Sequence, residues 1–265
     1  MKATVFLGGG RITSALVAGL RLAKYDQQIV VHDRHSGKLQ QLKRRHDVVV
    51  EANLHRAVES ADLLIIAVRP DSVSELLREI GKQGHRRPLM AVSLAAGIPL
   101  PKLQRKLGPP VRWARAMPSP VCRSGRGLTA LAFSRDLSRA ERGGVKNLFA
   151  SVGEVLEIPE NQFDAFTVTY SSSHGYHALA ALIEAAEAIG LDRKTARIAA
   201  AHALADGIAS WRDGRVPREK LLREAATPGG IAAAVMTSLD SAGFRSMVVQ
   251  GLRSGVRQAR RNSAK

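Results

Sequence analysis

The sequence predicts an α/β fold for the first part of the chain and an all-helical second part. Three observations predict it. Short apolar runs recur at 3–7, 29–32, 48–50, 63–68, 89–94, 111–114 and 128–133. Helical patterns lie between several of them, for example at 11–24, 37–45 and 71–83. From about residue 160 the strand-like runs give way to alanine-rich helical sequence. Short buried strands alternating with helices imply a parallel sheet covered on both faces. The expected domains are 1–158 and 159–265.

Residues 4–20, TVFLGGGRITSALVAGL, supply the first strand, a turn and the first helix. Gly8, Gly10 and Thr13 occupy the three key places of G-x-G-x-x-[G/A], between a strand and a helix, where that pattern signals a dinucleotide-binding Rossmann domain. Gly8 permits the tight turn. Gly10 lets the backbone approach a pyrophosphate, which then rests on the helix N-terminus beside Arg11 and Ile12. The third glycine serves close helix–strand packing, and Thr13 is small enough for a slightly wider packing to accept it.

The second strand ends in VVHDRHSGK. Asp33 lies where an acid grips the ribose hydroxyls of NAD, and Arg34 where a base meets the 2′-phosphate of NADP. Arg34, His35 and Lys38 together tilt the reading to NADP, with NAD as the alternative. The fourth run follows Asp62 and is left through RPDS (69–72), with Asp71 or Ser72 as helix N-cap. Arg69-Pro70, Ala95-Ala96-Gly97 and Met117-Pro118 each follow a strand-like run. They therefore fall along the carboxyl edge of the sheet, where cofactors bind.

In the second part, residues 178–210 are rich in alanine, and 195–210 present a wide apolar face. A helix apolar most of the way round must be buried. Too few other residues remain in this half to bury it. The expectation is a dimerisation domain whose helices pack against a second copy, giving a homodimer or a larger homo-oligomer. DGRVP (213–217) and TPGG (227–230) separate later helices.

The 265 residues are 45% hydrophobic and 24% charged, the balance of a soluble globular protein. One cysteine, Cys122, excludes an internal disulfide framework and reads as inert. The eight histidines form no metal-site pattern, so no metal is expected. A cytoplasmic location fits the cysteine usage. The opening MKATVFLGGG is too soon broken by glycine for a secretory signal. No stretch approaches the ~20 apolar residues of a membrane span, so no membrane partner is expected. The net charge of +17 is spread along the chain, without a nucleic-acid motif and with only 4% aromatic residues for stacking. It reads as a solvated basic surface, and nucleic acid is not the expected partner. The tail RSGVRQARRNSAK reads as a loose basic end.

Over nearly its whole length the chain resembles the pyrroline-5-carboxylate reductase family. The stretches that carry the resemblance are GGGRITSALVAGL, SADLLIIAVRP, SLAAGIPLPKLQRKLG, RAMPSP and TPGGIAAAVMTSLDSAGFRSMVVQGL, in family order and spacing. The resemblance implies a Rossmann domain followed by a helical dimerisation domain. It also implies reduction of a cyclic imine to a secondary amine by NAD(P)H, as in the last step of proline synthesis. Ala67, Val68, Arg69 and Pro70 would line the cofactor. Ala95, Ala96, Gly97, Met117 and Pro118 would line its nicotinamide end.

Three stretches depart from the family pattern. MPNTP reads Met117-Pro118-Ser119-Pro120-Val121, SGSGPAY reads within TYSSSHGYH, and SPGGTT reads Thr227-Pro228-Gly229-Gly230-Ile231-Ala232. The paired threonines expected to help hold a substrate carboxylate are apolar here. His174 and His177 have entered instead, and His174 can donate a proton to an imine nitrogen. Ser173 and Thr227 join His174 as candidate catalytic groups. Ser171, Ser172, Pro228, Gly229 and Gly230 are the candidate substrate-binding residues. The bland reading of the three serines is an N-cap run for the helix at 178–189. Two other functions remain open: a reductase of a different imine or ketone, and a dinucleotide-binding paralogue without catalysis.

Overall fold

The computed structural model describes residues 3–82, 87–214 and 216–264. Gln83 of the expected 71–83 helix, Arg215 of the DGRVP break and Lys265 lie outside them. The chain divides into two compact units, Met1–Thr169 with Gly255–Lys265, and Tyr170–Ser254. Residues 159–169 and 255–265 thus group with the sheet rather than with the helical part.

The first unit carries β1 (Ala3–Leu7), α1 (Arg11–Leu22), β2 (Gln28–His32), α2 (Ser36–His46), β3 (Val49–Val50), α3 (Leu54–Ser60), β4 (Leu63–Ile66) and α4 (Pro70–Lys82). It continues with β5 (Leu89–Ser93), α5 (Leu100–Lys106), β6 (Val111–Met117), β7 (Gly127–Phe133), α6 (Arg139–Ala150), β8 (Gly153–Glu157) and α7 (Phe163–Thr169). The eight strands form one sheet in the order β3-β2-β1-β4-β5-β6-β7-β8.

The sheet is parallel from β3 to β6, as expected, but β7 runs antiparallel to β6. The short link between them, through a 3-10 turn at Pro120–Ser124, leaves no room for the crossover helix that a parallel neighbour needs. β8 then pairs parallel to β7 across the α6 crossover. The sequence reading missed β8. Its residues Gly153, Glu154, Val155, Leu156 and Glu157 include none that is fully buried, so the edge strand lacks an apolar run.

Alternating side chains feed two cores. Along β1, Ala3, Val5 and Leu7 enter one cluster and Phe6 the other. Phe6, Leu64, Ile65 and Ile66 are fully buried, and each contributes roughly 1.5–3 kcal/mol by leaving water. Asn53 caps α3, and Ser138 with Glu141 forms a capping box at α6. Asp71 and Ser72 are not N-caps. The helix already begins at Pro70, a residue suited to a first turn, and Asp71 instead complements the helix dipole there.

The second unit carries α8 (Ser172–Ala188), α9 (Arg193–Asp213), α10 (Arg218–Ala225), α11 (Ile231–Ser241) and the first half of α12 (Phe244–Ala264). Asp192 caps α9. The expected loose basic tail is helical to Ala264, and its last turns belong to the first unit. α8, α10 and α11 bury no residue in the single chain, and α9 buries only Ala196 and Ala200. Gly207 in α9 and Gly251 in α12 face open space, with nothing within 4 Å of where a Cβ would stand.

Candidate active site

The turn after β1 is built by Gly8, Gly10 and Thr13. Gly8 has φ +111°, and a Cβ there would stand 2.7 Å from the Ala67 carbonyl oxygen. Its N–H donates to the His32 carbonyl at 2.7 Å, which ties the turn to the end of β2. Gly10 is the N-cap of α1 and faces open space. No side chain caps α1, and its first turn holds no acid. The N–H groups of a first helical turn have no intrahelical partner, so this end favours an anion. Arg11 is exposed beside it, and Ile12 is half-buried. These residues fit the diphosphate of a dinucleotide.

Thr13 does more than fill the third place. Its Oγ1 donates to the Gly8 carbonyl at 2.5 Å, and the residue is fully buried. The hydroxyl therefore closes the glycine turn from inside, a role that size alone does not reveal.

At the end of β2, Asp33 accepts the Gly9 N–H through Oδ2 at 2.8 Å. Its Oδ1 accepts the His35 N–H at 2.8 Å and pairs with His35 Nδ1 at 2.9 Å. Lys38 Nζ stands 3.7 Å away. Partial burial opposes the charge, but the bonds from Gly9 and His35 and the charge of Lys38 outweigh it and hold the carboxyl below its ordinary range. Asp33 thus braces the turn. Arg34 is exposed and pairs with Glu75 of α4 at 3.6 Å. The N-cap of α2, His35, makes no side-chain cap. Arg34, Lys38 and this helix end form a cationic corner.

The other predicted residues line the carboxyl edge. Ala67 and Val68 are half-buried after β4, and the Ala67 N–H donates to the Leu7 carbonyl at 2.8 Å. Arg69 is exposed, and Pro70 opens α4. Ala95 and Gly97 are buried and Ala96 half-buried in the loop after β5. Met117 ends β6, and Pro118 is buried behind it. Ser119, in the place of the family asparagine, accepts the Val121 N–H at 3.2 Å and caps the 3-10 turn. Cys122 is buried, and burial pushes its thiol up to about 11, so no reactive thiolate forms at neutral pH.

The sequence reading missed one ionic cluster. Arg115 of β6 is 1% exposed; it reaches Glu160 at 2.9 Å and Asp164 at 3.0 Å, and lies 4.1 Å over the Phe163 ring. Glu160 also accepts the Leu100 N–H at 2.9 Å, at the start of α5. An arginine amid the apolar strand VRWARAM was the available signal.

In the second unit, Ser171 holds the N-cap place of α8, which begins at Ser172 and not at 178. Its side chain makes no cap bond and instead meets Ser173 Oγ at 2.7 Å. Ser172, Ser173, His174 and His177 are exposed on the first turns of α8. Thr227, Pro228 and Gly229 are exposed, and Gly230 is the N-cap of α11, again without a side-chain cap. The Thr227 carbonyl accepts the Gly230 N–H at 2.9 Å, which shapes the turn. Both segments therefore present helix N-termini with small or hydroxyl residues. Among the described residues no group of three or more His, Cys, Asp or Glu could hold a metal ion.

A family model described as pyrroline-5-carboxylate reductase dimerisation matches residues 160–262. One described as NADP oxidoreductase, coenzyme F420-dependent, matches residues 4–97. The pyrroline-5-carboxylate reductase of Mycobacterium tuberculosis is 32% identical, over 98% of this chain and 97% of its own. The chain belongs to the pyrroline-5-carboxylate reductase family. The Corynebacterium melassecola reductase is 30% identical, over 92% of this chain and 93% of its own. Among solved structures, the pyrroline carboxylate reductase of Plasmodium falciparum with NADP bound shares the fold. Its TM-score is 0.86 at 20% identity, covering 99% of this chain and 98% of that one. The family's helical dimerisation domain and its nucleotide-binding domain are thus both present in this chain.

Proposed function

We propose that this protein reduces pyrroline-5-carboxylate to proline with NADPH, as a homodimer or a larger homo-oligomer. The match to reductases of that name along nearly the whole chain carries the reading. The glycine turn, with its uncapped α1 end, supports it. We assign cofactor binding to residues 1–158, and substrate binding and dimerisation to 159–265.

When bound, NADPH supplies the hydride. Gly8 and Gly10 admit its diphosphate, which the N–H groups of Arg11 and Ile12 hold. Arg34 and Lys38 take the 2′-phosphate. Asp33, braced by Gly9 and His35, keeps acceptor capacity on Oδ2 for an adenosine ribose hydroxyl, so NADH remains the alternative cofactor. Ala67, Val68, Arg69, Pro70, Ala95, Ala96, Met117 and Pro118 wall the cofactor. Ser171, Ser172, Pro228, Gly229 and Gly230 serve the substrate. His174 supplies the proton to the imine nitrogen, with the Ser173 and Thr227 hydroxyls as its helpers. No strong acid is needed, because a protonated imine is already electrophilic. Cytoplasm is the compartment that the buried, unpaired Cys122 suits.

A second reading rests on Ile231 and Ala232, which replace the hydroxyls expected around a carboxylate: the natural substrate is another imine or a ketone. The test is NADPH and NADH oxidation with pyrroline-5-carboxylate, beside the Ile231→Thr/Ala232→Thr double variant. Wild-type turnover, faster with NADPH, supports the first reading. Turnover by the double variant alone supports the second.

A further inference from the structure

We infer that the last turns of α12 are a positioning element for the Ala95–Gly97 loop, acting through Ala259, Asn262 and Ser263. The consequence for the cofactor rests on the reading above, that this loop meets the nicotinamide.

The loop leaves β5 at the carboxyl edge of the sheet. Locally it has two ties. The Leu94 N–H donates to the Ile66 carbonyl at 2.9 Å, and the Ala95 N–H to Ser93 Oγ at 3.3 Å. Ala95 and the adjoining Ile98 also bury in the core, and further ties come from far along the chain. Gly97 has φ +76°, and a Cβ there would stand 2.4 Å from the Ala259 carbonyl oxygen and 2.9 Å from the Ala259 Cα. The helix backbone therefore lies directly on the loop, and glycine is required twice over, for the dihedral and for the space.

Asn262 Nδ2 reaches the Ala96 carbonyl at 3.5 Å. Lys102 Nζ donates to the Ser263 carbonyl at 2.7 Å. A cation at that place complements the unsatisfied carbonyls and the negative end of the helix dipole. Beyond the loop, Glu160 fixes the start of α5 through the Leu100 N–H, held in turn by Arg115. Terminal helical turns ordinarily fray unless tied down. Here Ala259 is buried, and the turn that carries Asn262 and Ser263 is tied to the loop and to α5. These α12 groups act by holding the Ala96 and Gly97 peptides in one place.

The test compares the full chain with a chain ending at Arg261, and with Asn262→Ala, Lys102→Ala and Lys102→Arg. Two probes are bound to each: NADPH, and 2′,5′-ADP, which lacks nicotinamide. Hydrogen exchange of the amides at 94–100 is followed in parallel. In the shortened chain the NADPH Kd is expected to rise about three- to tenfold, the size of losing a few modest bonds. The kcat falls with it, while 2′,5′-ADP binding stays unchanged. Exchange at 94–100 quickens, and Lys102→Arg restores much of what Lys102→Ala loses. Unchanged NADPH affinity and exchange in the shortened chain would overturn the inference. Equal weakening of both probes would overturn it too, since that signals general loss of structure. If the wild type binds neither probe, the cofactor reading fails. The exchange then judges the brace alone: faster exchange supports it and unchanged exchange sinks it.

Discussion

The two units hold their apolar residues by opposite means. The first buries them against its own sheet, with Phe6, Leu64, Ile65, Trp113 and Phe149 sealed inside one chain. The second leaves them outside. Ile189 is 85% exposed and Ile231 88%, and Ile198, Ile208, Val235 and Val248 also face outward. Helix propensity from its many alanines does not by itself hold such helices, because tertiary packing supplies most helical stability. The first unit buries its own apolar residues, whereas the second leaves an apolar surface uncovered in the single chain, and its match to a dimerisation domain points to a further copy as the cover.

That contrast can be broken hardest at the exposed face. Ile208→Asp with Val235→Asp places two charges where an apolar partner is expected, at a cost of several kcal/mol. Sedimentation should show a monomer, and circular dichroism a loss of helix, with 2′,5′-ADP binding retained. A variant that stays dimeric and equally helical refutes the contrast. Inside the first unit, the largest single effect is expected at Arg115. Arg115→Met strands Glu160 and Asp164, and because both are partly exposed the cost should sit near the low end for broken buried pairs, about 3 kcal/mol by urea denaturation.

A smaller loss, about 1–3 kcal/mol, is expected for Thr13→Val, which leaves the Gly8 carbonyl unpaired in a buried place. NADPH affinity should drop with it, as the turn loosens. Asp33 gives a pH signature. Its folded-state carboxyl is held below the ordinary range, so its contribution is present at neutral pH. It is lost as the pH falls through the folded value. The difference in Tm between wild type and Asp33→Asn should therefore shrink in acid, and a constant difference would contradict the bracing role. The smallest effect is at Cys122, which should stay unlabelled by iodoacetamide at neutral pH until the first unit unfolds.

The legible part of the fold lay where local pattern and tertiary role agree. β1, the glycine turn and α1 are readable because strand, dihedral and helix start are each encoded within residues 3–22. The reversal at β7 and the edge strand β8 were not. Direction depends on the link between β6 and β7, and an edge strand with no fully buried residue lacks the apolar signal. The site divides the same way. Gly8, Gly10 and Asp33 stand out by spacing, but spacing says nothing of the Thr13 hydroxyl or of Asp33 being already engaged. Arg115 with Glu160 and Asp164, and Ala259 against Gly97, join residues about 45 to 160 apart, a pairing that no local window contains.

Gly207 and Gly251 carry a consequence for anyone wishing to make this protein more heat-resistant. In an isolated helix, alanine at either place is better by about 1 kcal/mol. The open space around both in the single chain invites that exchange. If a neighbouring helix from a second copy runs close over them, the added methyl group instead drives the two backbones apart. The sign of the melting shift for Gly207→Ala thus becomes a ruler: a gain measures bare helix, and a loss measures how near another backbone comes.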